Sequence, residues 1–292
     1  MTLRHLRIFA EVFRQNNMSE AARQLHLTQP AVSMAIREME DFYGVRLFDR
    51  LSRRLYPTGQ GKTLYEYAVP LLSLFDEMET RMKTSGGPQV LRVGSSITIG
   101  SFFMPGFVKE FARRSPEVQV QVQVRNSAEI ETALVGGELD FALIEGRVKN
   151  PSLHSEPFLP DRLCLLAPLD HPLCGRKDLT VEEVAAYPFV MREPGSAGWA
   201  ILQEVMNLQG CTARIVWDSV SNRAVLQAVA AGVGLSLLPE RLAQEALAQK
   251  KVCRLGLDLP AFSRDFLILY HRNKFLTPAM TAFLDMVRAW QE

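Results

Sequence analysis

Residues 19–33 read Ser19-Glu20-Ala21-Ala22-Arg23-Gln24-Leu25-His26-Leu27-Thr28-Gln29-Pro30-Ala31-Val32-Ser33, and two helix starts lie within them. Ser19 ahead of Glu20-Ala21-Ala22 is an N-cap signal. Thr28 ahead of Gln29-Pro30 is a second, with proline in the first turn, where its missing N–H leaves no hydrogen bond unmade. Together with the amphipathic run that precedes them, these signals predict helices over 3–15, 19–25 and 28–43, joined by turns short enough to force tight packing. On the third helix Ala31, Val32, Ala35, Met39 and Phe42 share one arc at helical periodicity and are expected to pack. Gln29, Pro30, Ser33, Met34 and Arg37 fall on the other arc and are expected to face outward.

Past Gly44, two short extended runs, 45–50 and 51–57, meet at a cluster of arginines and read as a β-hairpin. Thr58 can cap the next helix, expected to run to about Lys83. It carries Leu64, Ala68, Leu71, Phe75, Met78 and Met82 at alternating spacings of four and three, a coiled-coil seam that predicts dimerisation. Gly86-Gly87-Pro88 breaks this helix and makes a hinge. From Val90 onward strands alternate with helices: strands over 91–93, 118–124 and 139–144 enclose helices over 100–114 and 128–135. A second series begins near Arg162, with strands over 163–167, 189–191, 214–217 and 235–238 and helices over 181–186, 199–208 and 221–231. Such order predicts two α/β lobes with largely parallel sheets. A strand over 266–270 and a last helix over 278–290 could join either lobe.

The bulk composition narrows the function classes. With 292 residues, 47% hydrophobic and 22% charged, the chain reads as a globular protein of two or three folding units. It has no apolar run long enough to span a bilayer and no secretory leader at its start, so a cytoplasmic location is expected. The net charge is only +1, but it is unevenly spread. Residues 1–62 carry ten basic and six acidic side chains, net +4, while the remainder carries 23 basic and 26 acidic, net −3. A basic head on an acidic body suits a phosphate-facing N-terminus. The four cysteines, Cys164, Cys174, Cys211 and Cys253, are scattered and are expected to be reduced thiols packed as small hydrophobes.

The 19–33 stretch, followed by Leu47-Phe48-Asp49-Arg50 and Pro57-Thr58-Gly59-Gln60-Gly61, resembles the N-terminal domain of LysR-type transcriptional regulators. Weaker landmarks follow in the same order as in that family: Gly137-Glu138-Leu139-Asp140, His171-Pro172-Leu173 and Gly232-Val233-Gly234-Leu235-Ser236-Leu237-Leu238-Pro239. The resemblance implies an α/β protein with an N-terminal all-α winged helix-turn-helix, a long linker helix and a two-lobed, periplasmic-binding-protein-like effector domain. The divisions expected are a DNA-binding domain over 1–58, a linker and hinge over 59–88, and an effector domain over 89–292. Lobe I takes about 89–161 and 266–292, and lobe II about 162–265.

The expected function is that of a sequence-specific DNA-binding regulator controlled by a small, anionic effector. In a winged helix-turn-helix the third helix enters the major groove. There Gln29 can pair with an adenine edge and Pro30 can touch a thymine methyl. Thr28 and Ser33 offer short hydroxyls, Arg37 lies a turn further along, and Arg53 and Arg54 suit phosphate or minor-groove contacts at the wing. In paired lobes a ligand binds at strand C-termini and helix N-termini. This points to Ser95, Ser96, Thr98 and Glu145 in lobe I and to Arg192, Ser196 and Ser221 in lobe II. The Leu143-Ile144-Glu145-Gly146 and Arg192-Glu193-Pro194-Gly195-Ser196 segments resemble family members governing sulfur assimilation or carbon fixation. However, Ala197-Gly198-Trp199 stands where related versions continue with a basic residue. The resemblance also implies self-association to a dimer and further to a tetramer, and leaves room for RNA polymerase as a partner. No cofactor or metal is expected. Two rivals fare worse: a transported-solute receptor has no use for the basic head, and an enzyme finds no G-x-S-x-G, P-loop or H-E-x-x-H motif and only five scattered histidines.

Overall fold

The structure is a computed structural model that describes residues 1–51, 54–83, 89–148 and 150–290. It opens with α1 (Leu3–Gln15), α2 (Met18–Gln24) and α3 (Gln29–Tyr43), packed around Phe9, Val12, Ala21, Val32, Ile36 and Met39. The cap of α2 is Asn17 rather than Ser19: its side chain accepts from the backbone N–H groups of Ser19 and Glu20. Thr28 caps α3 as expected, accepting from the Ala31 N–H at 3.4 Å. The buried arc of α3 is Val32, Ala35, Ile36 and Met39, whereas Ala31 and Phe42 face solvent. Both lie about a quarter-turn off that arc, so its true centre includes Ile36 and excludes them.

The hairpin forms from β1 (Phe48–Leu51) and β2 (Arg54–Pro57), antiparallel and paired from Phe48 with Pro57 to Leu51 with Arg54. The Thr58 hydroxyl then accepts from the Gly61 N–H at 3.0 Å and starts the linker helix α4 (Gly59–Lys83). Gly61 is required: a Cβ there would stand 2.2 Å from the Leu47 carbonyl oxygen. Phe13 of α1 stacks on Tyr65 of α4 with ring centroids 3.9 Å apart, so the head and linker share one core. The Gly86-Gly87-Pro88 hinge lies outside the described residues.

Lobe I begins with β3 (Gln89–Ser95), then α5 (Ile97–Phe102), α6 (Met104–Arg114), β4 (Val118–Val124), α7 (Ser127–Val135) and β5 (Phe141–Glu145). The single helix expected over 100–114 is two, because Pro105 in the first turn of α6 has no N–H to continue the preceding ladder. The strand β6 (Leu153–Pro168) is one 16-residue element running through Arg162, where a lobe II strand had been expected to begin nearby. Pro157 and Pro160 disguise it in the sequence, since proline argues against a central strand. A register shift places Phe158 as the extra residue between them.

Lobe II follows as α8 (Val181–Ala185), β7 (Pro188–Arg192), α9 (Ala197–Leu208), β8 (Arg214–Ser219), α10 (Asn222–Ala230), β9 (Ser236–Pro239), α11 (Glu240–Ala248) and β10 (Val252–Arg254). The chain then returns as β11 (Ser263–His271) and α12 (Pro278–Arg288). β11 lies antiparallel between β5 and the first half of β6, and α12 packs Phe283 on Phe111 and Phe141, so both close lobe I. The second half of β6 pairs with β9 and β10 in lobe II. One continuous strand therefore ties the lobes together. The parallel trio β4-β3-β5 gives lobe I the expected α/β pattern.

The cysteines depart from expectation. Cys174 and Cys253 form a disulfide with Cα atoms 6.3 Å apart, while Cys164 and Cys211 remain thiols. Antiparallel pairing of β10 with the end of β6 brings two residues 79 apart in sequence side by side, which no spacing rule shows. Burial pushes the Cys164 thiol up to about 12, so it stays protonated and inert.

Candidate functional site

The outward face of α3 is as the sequence placed it. Thr28, Gln29, Pro30 and Arg37 are exposed and Ser33 half-buried. Among the described residues, Gln29, Ser33 and Arg37 have no internal hydrogen-bond or ion-pair partner. Their donors and acceptors are available to an external one. Met34, 63% exposed, sits among them. The hairpin is braced from within by Glu40, whose Oε1 accepts from the Leu47 and Phe48 N–H groups at 2.8 and 3.3 Å. Sequence reasoning missed Glu40 because one acidic residue on a helix has no signature of its own. Arg53 lies outside the described residues, as does the side chain of Arg54, whose backbone belongs to β2.

The lobe I residues converge where β3 and β5 end. Ser95, Ser96 and Thr98 are buried, and Glu145 reaches across from the last position of β5. The Ser96 hydroxyl donates to Glu145 Oε2 and the Thr98 hydroxyl donates to Oε1 at 3.0 Å. Two hydroxyls thus hold both oxygens of one carboxylate. Ser95 turns away and donates to the Ser96 carbonyl at 3.0 Å. Behind the carboxylate, Arg264 places Nη2 4.0 Å from Glu145 Oε1 and donates Nε to Asp161 Oδ2 at 2.7 Å. Arg241 stands 3.7 Å from the other Asp161 oxygen. Nη2 of Arg264 is buried and has no hydrogen-bond partner among the described residues. Neither Asp161 nor Arg264 was singled out from sequence, since the crossing of β6 and β11 that joins them is tertiary.

The lobe II residues take other roles. Arg192 is fully engaged: it donates to both Glu193 oxygens, to the Ser219 carbonyl and to Asn222 Oδ1 at 2.8–3.1 Å. It fastens β7 to the end of β8 and the start of α10. Ser196 caps α9 and Ser221 caps α10, each accepting a backbone N–H at 3.3 Å. Capping is what serine does wherever helices begin. Ser196 nevertheless lines, with Glu145, Ser127, Gly146, Gly195 and Ala197, a crevice of about 650 Å³ between α7 and α9. The lobes touch at its rim, where the Ala128 N–H donates to the Gly195 carbonyl at 3.3 Å. Arg147 in turn bridges to Glu204 at 2.7 Å.

Comparison with known proteins bears on the two parts of the chain. Residues 3–62 match the model of the bacterial regulatory helix-turn-helix protein, lysR family, and residues 85–292 match that of the LysR substrate binding domain. The chain is 31% identical to the uncharacterized HTH-type transcriptional regulator YeiE of Escherichia coli K12, covering 98% of this chain and 96% of that protein. It is also 31% identical to the RuBisCO operon transcriptional regulator of Allochromatium vinosum, over 98% and 95%. The regulatory domain of Synechocystis CcmR, solved in complex with 2-PG, superposes with a TM-score of 0.63 at 26% identity, covering 69% of this chain and 96% of that domain.

Proposed function

The chain belongs to the LysR family, as a DNA-binding transcriptional regulator with an effector-binding domain and not an enzyme, and from that premise we propose how it reads DNA and what it senses. Gln29, Pro30 and Ser33 read base edges from the N-terminal half of α3, Arg37 supports them, and Thr28, Arg53 and Arg54 hold phosphates. What supports this is the unpartnered outer face of α3. The divisions remain 1–58, 59–88 and 89–292, in a cytoplasmic protein that pairs through α4 and assembles further into a tetramer, with RNA polymerase as a partner at the promoter.

The effector is a small oxyanion. The supporting observation is that Ser96 and Thr98 are spaced to grip two oxygens of one anionic group, which here is the side chain of Glu145. A ligand anion competes with that carboxylate, and Arg264, already 4.0 Å away, receives the displaced side chain. Ser196 lines the crevice, while Ser95, Arg192 and Ser221 stand behind it and hold the strand ends and helix starts around it.

Purified protein is mixed with the DNA immediately upstream of its own coding region at two salt concentrations. Gln29→Ala should lose specific protection, by about 1–3 kcal/mol. Arg53→Ala should weaken binding to all sequences and flatten the salt dependence. Sequence-preferring binding unaffected by Gln29→Ala would remove α3 from the reading role.

A further inference from the structure

The Gly137-Glu138-Leu139-Asp140 segment plays no part in the crevice, and its surroundings explain its composition. Gly137 has φ +73, and a Cβ there would stand 2.4 Å from Cγ1 of Val69 on the linker helix. Glycine is therefore demanded twice, by the backbone and by the approach of α4. Beside it, Asp140 accepts from the Arg92 backbone N–H at 2.7 Å, and its Oδ1 pairs with Lys274 at 2.8 Å and Arg92 at 3.2 Å. Burial raises the carboxyl, but the charges of Lys274 and Arg92 outweigh it and hold Asp140 below its ordinary range. Lys274 and Arg92 both donate onward to the Ser73 hydroxyl of α4, at 3.0 and 3.4 Å.

A second set of contacts lies one turn away. Pro70 inside α4 has no N–H for the carbonyl of Glu66, four residues earlier. Asn273 of lobe I supplies the missing donor, at 3.3 Å. The Ser152 hydroxyl donates to the Glu66 side chain at 2.8 Å, and Arg14 of α1 donates to the Gly136 carbonyl at 3.2 Å. Glu66, Val69 and Ser73 lie on one stripe of α4, while the exposed Tyr67, Leu71, Leu74 and Met78 lie on the opposite side. Docking to lobe I therefore leaves the pairing face open.

We propose that these contacts form a latch fixing the linker helix and DNA-binding head to lobe I, and that this latch carries the effector signal to the recognition helices. The route is short. β3 bears Arg92 at the latch end and Ser95 at the crevice end, and β5, which follows Asp140, ends at Glu145. Two buried parallel strands thus join the two sites as rigid struts, and lobe I with the head turns as one body against lobe II. The signalling part of this proposal rests on the oxyanion reading above; the latch itself does not.

Hydrogen exchange on the full-length chain tests the latch without any ligand. Ser73→Ala sits on the linker surface and removes only the two donated bonds. It should speed exchange of the amides over 66–76 by about tenfold and leave those over 97–124 unchanged. Lys274→Ala should act in the same direction. Unchanged exchange over 66–76 in both variants overturns the latch. For signalling, DNA affinity is measured with and without inorganic sulfate as the probe. If sulfate shifts wild type and Ser73→Ala equally, the latch is not the route and the proposal fails. If it shifts neither while exchange responds, the oxyanion reading fails and the latch stands.

Discussion

Glu145 carries the most decisive chemistry of any single residue here, because its carboxylate occupies the place that the proposed oxyanion would take. The two hydroxyl donors can serve one anion at a time, and with Asp161 already on the Arg264 guanidinium a further anion beside Glu145 would be repelled in a site this dry. Glu145→Gln keeps the shape and removes the charge. It is expected to raise affinity for sulfate or phosphate by roughly tenfold or more, measured by titration calorimetry on the full chain. A fall in affinity instead would mean that the carboxylate itself holds a donor or cationic ligand, and the oxyanion reading would be wrong. At this scale the sequence was partly legible. Strand ends and helix starts marked Ser96, Thr98 and Glu145, and the structure brings the three together, whereas the partner of each hydroxyl depended on which strands became neighbours. Arg192, Ser196 and Ser221 were named for ligand contact, and the contacts they make in the structure are with the protein itself.

Among the elements, α4 shows most clearly what a lone chain leaves unfinished. The expected seam was Leu64, Ala68, Leu71, Phe75, Met78 and Met82, yet Ala68 is buried against the protein's own head. The stripe actually left bare includes Tyr67, Leu71, Leu74, Met78 and Met82, each more than 40% exposed. The apolar period was legible, but its exact face was not, since Phe13 and lobe I claim the other sides of the helix and rotate the free stripe. A contiguous apolar stripe on a 25-residue helix calls for a partner. Leu74→Asp places an uncompensated charge in its centre. It is expected to convert dimers to monomers in sedimentation velocity at micromolar protein and to weaken operator binding more than half-site binding. Unaltered dimers would move the pairing surface elsewhere.

At the scale of the whole molecule, helix and strand order was legible over most of the chain because periodicity is local, but α11, β10 and the first half of β6 were not read. What joins the lobes, the passage of β6 through Pro157 and Pro160, was not legible, and neither was the Cys174–Cys253 disulfide within lobe II; both are set by long-range pairing, while the place of 266–292 in lobe I came from the family resemblance and not from periodicity. One global property does follow from two residues, one in each lobe. His171 in lobe II and His271 in lobe I both have their pKa lowered, chiefly by burial. Each also accepts, at Nδ1, the backbone N–H two residues on, from Leu173 at 3.3 Å and from Asn273 at 3.2 Å. Protonation would replace that acceptor with a donor and set two N–H groups against each other. The unfolded chain therefore binds these protons more readily than the folded one. Stability is complete above the ordinary histidine value near 6.5 and falls as pH drops from there towards the lowered folded values. The urea midpoint of the full chain should accordingly fall between pH 7.5 and pH 5.5. His171→Asn and His271→Asn keep an acceptor oxygen where Nδ1 stood, in the manner of an Asx turn, and cannot titrate. In the double variant the midpoint should lose much of this pH dependence, and a midpoint that still falls as steeply would assign the effect to other groups.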